Sequence, residues 1–302
     1  MGIESLLVFL IVGAIAGGHR WGTHDAVLAP AEGVRRALAL FYITARRPAE
    51  AEPHFKALAG EPGGALALAD YYIGTARADD ATAVLQPVAD DASHPDRVMA
   101  RLRLAAIDHA AGRTDAAHAA VDALLADGRA KPEVHIAKAR MLLLDNTDAG
   151  GDLAAAEKHA REAVAIDASL PSAHYTLGLV ALEKRDIAAA EAAFRDVLRL
   201  NPVAGAAQLQ IARLQLARGD ASGALMSAEQ AAQQRPDDPL AAVLVSRSLR
   251  AQGNLSRAER ELAARLERTP TAAPLHVEMG ELALQRGRPA AARASFEEAL
   301  RH

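Results

Sequence analysis

The hydrophobic pattern of this chain divides near its start. An unbroken apolar run, Leu6 to Gly18, precedes a long body in which apolar, small and helix-breaking residues recur at a fixed interval. Pro202, Pro236 and Pro270 are 34 residues apart, as are Gly219, Gly253 and Gly287. Ala190, Ala224, Ala258 and Ala292 keep the same interval, and so do Gly178, Ala212, Ser246 and Gly280. Internal repetition at such a period marks a repeat architecture. A proline cannot continue a hydrogen-bonded helix, so each one closes a unit and opens the next. The mid-unit glycine permits a turn between two antiparallel helices. The small residues belong where two helix backbones approach closely. The expected fold is all-α: a curved solenoid of about eight helix-turn-helix repeats, about sixteen helices in all, with no convincing strand.

The unit PSAHYTLGLVALEKRDIAAAEAAFRDVLRLNP, from Pro171 to Pro202, carries Leu177-Gly178 in its first helix and Ala190 and Phe194 in its second. On these residues the chain resembles the tetratricopeptide repeat family. His174 stands where that family often has Trp, and Ala181 where it often has Tyr. The register extends to Met279-Gly280, Gly287, Ala292, Phe296 and Ala299 in the last unit. Upstream it reaches Ala39, Tyr42, Ala51 and Phe55, then Ala69, Tyr72 and Ala81, then Ala105, Gly112 and Ala117. Units are expected to begin near residues 32, 62, 98, 132, 171, 205, 239 and 273, with looser spacing before residue 131. The unit near 132 holds about five extra residues in DNTDAGGD, 145–152, read as a lengthened turn. Its acids lack the alternation of a calcium loop.

The resemblance implies a groove lined by the first helices, with positions 2, 5, 9 and 12 of each unit facing a ligand. Position 9 falls on Asp70, Ala106, Arg140, Leu179, Arg213, Arg247 and Glu281. Position 5 includes Tyr175, Leu209 and Val243, and position 12 includes Arg250. The candidate peptide-binding residues are therefore Arg140, Arg213, Arg247, Arg250, Tyr175, Leu209 and Val243. Guanidinium groups fork onto carboxylates, so the fitting guest is a protein or peptide with an acidic or C-terminal carboxylate segment. The competing reading is that these arginines solvate a helix face and pair with local acids.

The apolar start points to a membrane or export role. Thirteen helical residues rise roughly 20 Å, short of the roughly 30 Å hydrocarbon core. Ala14-Ile15-Ala16 fits a small-x-small cleavage site, while Glu4 and the lack of a preceding cation do not fit a signal peptide. The segment 1–18 is read as signal-like or a short anchor contacting a membrane through residues 6–18, and 19–31 as a linker. The repeat array is placed at 32–302. Gly13 and Gly17 form a GxxxG pair, and Trp21 is read as an interfacial or packing residue. The opening also resembles small bacterial membrane proteins of the transglycosylase-associated type.

Composition narrows the chemistry. With 51% hydrophobic but only 3% aromatic residues, the core must be built from Ala, Leu, Val and Ile, which suits thin, closely packed helices. A formal charge of −4 gives no basic footprint for nucleic acid. The chain has no Cys, which removes disulfides, thiol catalysis and zinc-thiolate sites. No P-loop, HExxH or GxSxG pattern is present. The eleven His residues are scattered, and sequence spacing pairs no two of them with a nearby carboxylate. His135, His174 and His276 share the fourth position of a first helix, a packing slot. Neither a cofactor nor a metal site is expected, and the chain is read as a non-enzyme.

The leading expectation is a scaffold that binds protein or peptide, in bacterial envelope assembly or secretion. The alternative is a non-catalytic accessory segment of an enzyme complex such as a glycosyltransferase or a secretion machine. Localisation is membrane-associated or exported, otherwise cytoplasmic. In the final helix Ala292 and Phe296 should pack back onto their own hairpin. Leu300 should stay uncovered, which favours self-association through the C-terminal end.

Overall fold

The structure is a computed structural model describing residues 30–45, 47–127, 131–149, 152–236 and 238–302. The readings placed on residues 1–29, including the apolar run, Gly13 and Gly17, the cleavage site and Trp21, lie outside the described residues. Within them the chain is all-α, with sixteen helices and no strand. In chain order these are α1 (Pro30–Thr44), α2 (Pro48–Leu58), α3 (Gly64–Gly74), α4 (Ala78–Asp90), α5 (Arg97–Ala110), α6 (Thr114–Ala126), α7 (Pro132–Ala149) and α8 (Leu153–Ile166). There follow α9 (Pro171–Glu183), α10 (Ile187–Leu200), α11 (Gly205–Ala217), α12 (Ala221–Gln234), α13 (Pro239–Ala251), α14 (Leu255–Arg268), α15 (Ala273–Gln285) and α16 (Pro289–Leu300).

Each odd-numbered helix packs against the even-numbered one that follows, giving eight hairpins. Five first helices begin at the residue the sequence predicts, and the first three differ from it by one or two positions. The hairpins divide between two compact units, one ending at Ala168 and the other spanning Ser169–His302. In the C-terminal unit α11 touches α13 and α13 touches α15, so these first helices form a continuous layer. In the N-terminal unit α5 touches α7 in the same way.

The turn inside a hairpin follows from its backbone hydrogen bonds. At the end of α11 the Gly219 N–H donates to Leu216 O at 3.0 Å, and the Asp220 N–H donates to Gln215 O at 2.9 Å. This pair is the Schellman motif, which requires a left-handed residue after the helix. Gly219 supplies it at φ +81°. Asp220 then caps α12, its carboxylate accepting from Gly223 N at 2.8 Å. Gly112, Gly253 and Gly287 adopt the same conformation, but Ala76 (φ 59°) and Arg185 (φ 60°) stand there in two other hairpins. Those two residues bear the steric cost of a Cβ in left-handed backbone.

The period-34 small residues are where the helices meet. Ala190, Ala224 and Ala258 are fully buried and Ala292 is 1% exposed. A Cβ built on Gly178 would lie 2.7 Å from the Phe194 ring, and one on Gly280 would lie 2.5 Å from Phe296. Ala212 and Ser246 replace these glycines in the intervening repeats, and there the phenylalanine positions hold Ala228 and Leu262. Volume lost on one helix is thus compensated on the other. The expectation for the last hairpin holds: Ala292 is buried, Phe296 lies against Gly280, and Leu300 is 88% exposed.

One expectation needs correction. The extra residues at 145–152 do not simply lengthen a turn. α7 continues through Ala149, making it 18 residues long, whereas α9 stops after 13. The added length is helical because nothing between Leu142 and Ala149 breaks the helix, the glycines coming only at 150 and 151.

Two stability measurements follow. Arg185→Gly should stabilise the protein by about 0.5–1 kcal/mol in urea unfolding, because glycine relieves the left-handed strain at some entropic cost. Arg185→Ala should leave stability nearly unchanged, since alanine keeps the same Cβ. Gly178→Ala should cost about 1–3 kcal/mol by overpacking, and Phe194→Ala about 3–5 kcal/mol by opening a cavity. The double variant, which reproduces Ala212 with Ala228, should cost clearly less than the sum of the two. Strict additivity would show that the two positions do not compensate.

Candidate functional site

The first-helix layer of the C-terminal unit carries six of the seven candidate residues. Tyr175 sits on α9, Leu209 and Arg213 on α11, and Val243, Arg247 and Arg250 on α13. Arg140 lies on α7 of the N-terminal unit, half-buried, and is not grouped with the others. Tyr175, Leu209 and Val243 are between 6% and 8% exposed, so they form an apolar floor rather than projecting side chains. The Tyr175 hydroxyl accepts a long bond from Gln210 Nε2 at 3.4 Å, and its ring packs 5.4 Å from Phe194. Val277 and Leu284, on α15, are exposed at the equivalent positions further along.

The arginines differ in what they touch. Arg247 Nε donates to the Glu278 carboxylate at 2.9 Å, and Arg250 Nη1 donates to its other oxygen at 2.7 Å. Ser246 Oγ completes the cage at 3.0 Å. Glu278 is fully buried, so these bonds hold a carboxylate that would otherwise be an uncompensated interior charge. Arg250 also reaches Glu281 at 3.0 Å and Gln285 at 2.9 Å. Burial acts against its guanidinium, but Glu278 and Glu281 outweigh that and hold its pKa above the usual value. Arg213 is exposed and makes no ion pair among the described residues. Of the candidate arginines of the C-terminal unit, it is therefore the one with its full fork of donors available.

Similar cross-repeat bonds occur in the N-terminal unit. Arg103 grips Asp70 through two bonds of 2.7 and 2.8 Å. A second cluster there was not foreseen from the sequence. Asp145, on the extra length of α7, accepts from His109 Nε2 of α5 at 2.9 Å and from His118 Nε2 of α6 at 2.6 Å. The expectation that no histidine pair meets a carboxylate is overturned. These residues are far apart in sequence, and only packing of three successive helices brings them together. The usable signal was their offset: His109 and Asp145 lie 36 residues apart, about one repeat, on consecutive first helices.

Of the histidines assigned to packing slots, only His174 is buried. His174 is buried with Nδ1 3.7 Å from Asp196, and His276 Nε2 donates to Pro270 O at 2.7 Å. His135 Nδ1 lies 3.1 Å from His159 Nδ1. Burial pushes both of these imidazoles below their usual pKa, helped at His159 by the neighbouring His135, Lys138 and Lys158. Glu162 opposes the shift at His135, and Asp122 opposes it at His159.

Stacked helical hairpins with small-residue contacts and a shared first-helix layer define an α-solenoid repeat protein. The chain matches the tetratricopeptide repeat family over residues 175–239 and again over 215–277. Residues 175–277 are therefore tetratricopeptide repeats. Among solved structures it is similar to a tetratricopeptide repeat protein from Parabacteroides merdae, with 16% identity and a TM-score of 0.53, covering 90% of this chain and 93% of that one. It is also similar to a monomeric mutant of IFIT1 with m7Gppp-AAAA, with 14% identity and a TM-score of 0.60, covering 99% of this chain and 73% of that one. At these identities the likeness concerns the fold. No curated protein matches the chain by sequence. Among the described residues no helix is long and apolar enough to cross a membrane. The repeat fold supports a protein-interaction scaffold.

The histidine pair gives a pH dependence whose sign is fixed. Unfolded imidazoles take up protons below about 6.5, whereas burial keeps folded His135 and His159 neutral to lower pH. Their contribution to stability is present above that pH and is lost as the pH falls through the lowered folded values. Urea unfolding at pH 7 and pH 5 should show a loss on acidification, and the doubly substituted His135→Gln, His159→Gln chain should lose less. An equal loss in both proteins would remove the pair as a cause.

Proposed function

We propose that this protein holds a partner peptide along the first-helix layer of its repeats and that the peptide presents a carboxylate to Arg213. The observation that carries this reading is the exposed guanidinium of Arg213 on α11, one repeat before the Glu278-bound Arg247 and one helical turn from the apolar floor residue Leu209. Arg247 has donors beyond the one given to Glu278 and can add a second contact. Val277 and Leu284, both exposed, offer apolar contact for the rest of the peptide. Arg140 is the corresponding candidate in the N-terminal unit. The apolar run Leu6–Gly18 supports placing this work at the cell envelope, in assembly or secretion.

The test is a peptide array probed with the full chain, in which each peptide appears with a free and with an amidated C-terminus. The peptides retained should be acidic or depend on the free carboxylate. A charge-assisted hydrogen bond is worth about 1.5–3 kcal/mol, so Arg213→Glu should weaken the best binder by roughly 10- to 100-fold. Helicity should be unchanged, since Arg213 supports no buried acid. Retained peptides that ignore both amidation and Arg213→Glu would sink the carboxylate reading.

A further inference from the structure

The His109–Asp145–His118 cluster lies in the N-terminal unit and is independent of the peptide groove. Its three side chains come from α5, α6 and α7, and their ligand atoms all fall within 4.8 Å of one another. Each ring turns Nε2 toward the same carboxylate. The side chains are 10%, 21% and 30% exposed for His109, His118 and Asp145, so the cluster is recessed but open to small solutes. We propose that these three residues bind one divalent transition-metal ion and thereby clip the α5–α6 hairpin to the first helix of the next repeat.

The donor set selects the ion. Two imidazole nitrogens and one carboxylate suit Zn2+, Co2+ or Ni2+, whereas Ca2+ and Mg2+ want an oxygen shell. Metal–ligand bonds of about 2.0–2.2 Å put tetrahedral ligand atoms about 3.4 Å apart. The His–carboxylate contacts of 2.9 and 2.6 Å are shorter, as expected where hydrogen bonds occupy the place of metal bonds. Side-chain shifts of under about 1 Å open the triangle to the ion, and solvent fills the remaining position. The carboxylate sits near the end of a first helix that is longer than those of the C-terminal unit. Asp145 is the fourteenth residue of α7, whereas α9, α11, α13 and α15 each end at their thirteenth.

Lys138 tunes the site. Its Nζ lies 3.0 Å from His118 Nδ1 and 2.6 Å from Asp122. Metal on His118 Nε2 forces the ring proton onto Nδ1, which then meets an ammonium that has no acceptor. Lys138 must give up its contact with His118 and keep only Asp122, so in the native chain it opposes loading. A glutamine at 138 would instead offer a carbonyl oxygen to the Nδ1 proton, the arrangement that normally supports a metal-bound histidine.

The experiment is titration of the full chain, stripped with EDTA, with Zn2+ followed by calorimetry and with Co2+ followed by its visible absorption. One equivalent should bind, the Co2+ bands should indicate mixed nitrogen and oxygen ligation, and the melting temperature should rise. Asp145→Asn and His118→Gln should each weaken binding at least about tenfold, while Lys138→Gln should tighten it. If Asp145→Asn loses helicity, His109→Gln and Lys138→Gln decide the matter by their opposite effects. No stoichiometric binding at micromolar metal overturns the proposal. So does binding that is indifferent to all of these changes, which would place the ion at some other histidine.

Discussion

The close approach of two helix backbones within each hairpin is the constraint from which the rest of this structure follows. The buried alanines at 190, 224, 258 and 292 leave almost no side chain between the pair. The compensated positions set the remaining gap. Glycine faces Phe194 and Phe296, whereas Ala212 and Ser246 stand opposite smaller residues. Interiors are packed densely enough that such volumes cannot be exchanged singly. This requirement explains why an alanine-rich chain with few aromatics can hold the sixteen described helices in order. It also leaves the outward face of each first helix free to vary, because nothing inside the hairpin depends on it.

Between hairpins a different chemistry operates. Asp70 with Arg103, Tyr175 with Gln210, and Ser246 with Glu278 are 33, 35 and 32 residues apart. Each bond joins consecutive first helices. Apolar packing fixes the distance between repeats but is tolerant of sliding, whereas a buried carboxylate such as Glu278 accepts only one placement of its donors. Losing either arginine would leave that buried charge with one guanidinium fewer to compensate it. The polar contacts thus set register where the small residues set proximity.

The hairpins were legible in the sequence because proline, glycine and alanine each have one mechanical reason to recur, and the reasons repeat with the unit. The first helices of the last five hairpins begin where the pattern places them. Before residue 131 the pattern weakens for a visible reason: Pro53 and Pro87 lie inside helices, and Ala76 takes a left-handed position that glycine fills in four other hairpins. Of the candidate groove, the helix and position of every residue could be read, but not its partners. Glu278 is a single charged residue in a helix, and nothing in its neighbours along the chain shows that it is buried beneath two arginines. The histidine cluster was hidden more completely, since its members occupy three helices and align only after folding.

In a repeat array each unit contacts mainly its neighbours, so a local irregularity is absorbed locally. The lengthened α7 illustrates the consequence. An insertion of a few residues in a globular core would disturb many contacts at once. Here it lengthens one helix, and the following hairpins resume their spacing from Pro171 onward. The extra residues as far as Ala149 stay helical. A side chain in that position can be recruited for polar chemistry without weakening the stack. Asp145, reaching two imidazoles from the preceding hairpin, stands in that position. The departures from the period, more than the period itself, are where a repeat protein of this kind acquires side-chain chemistry of its own.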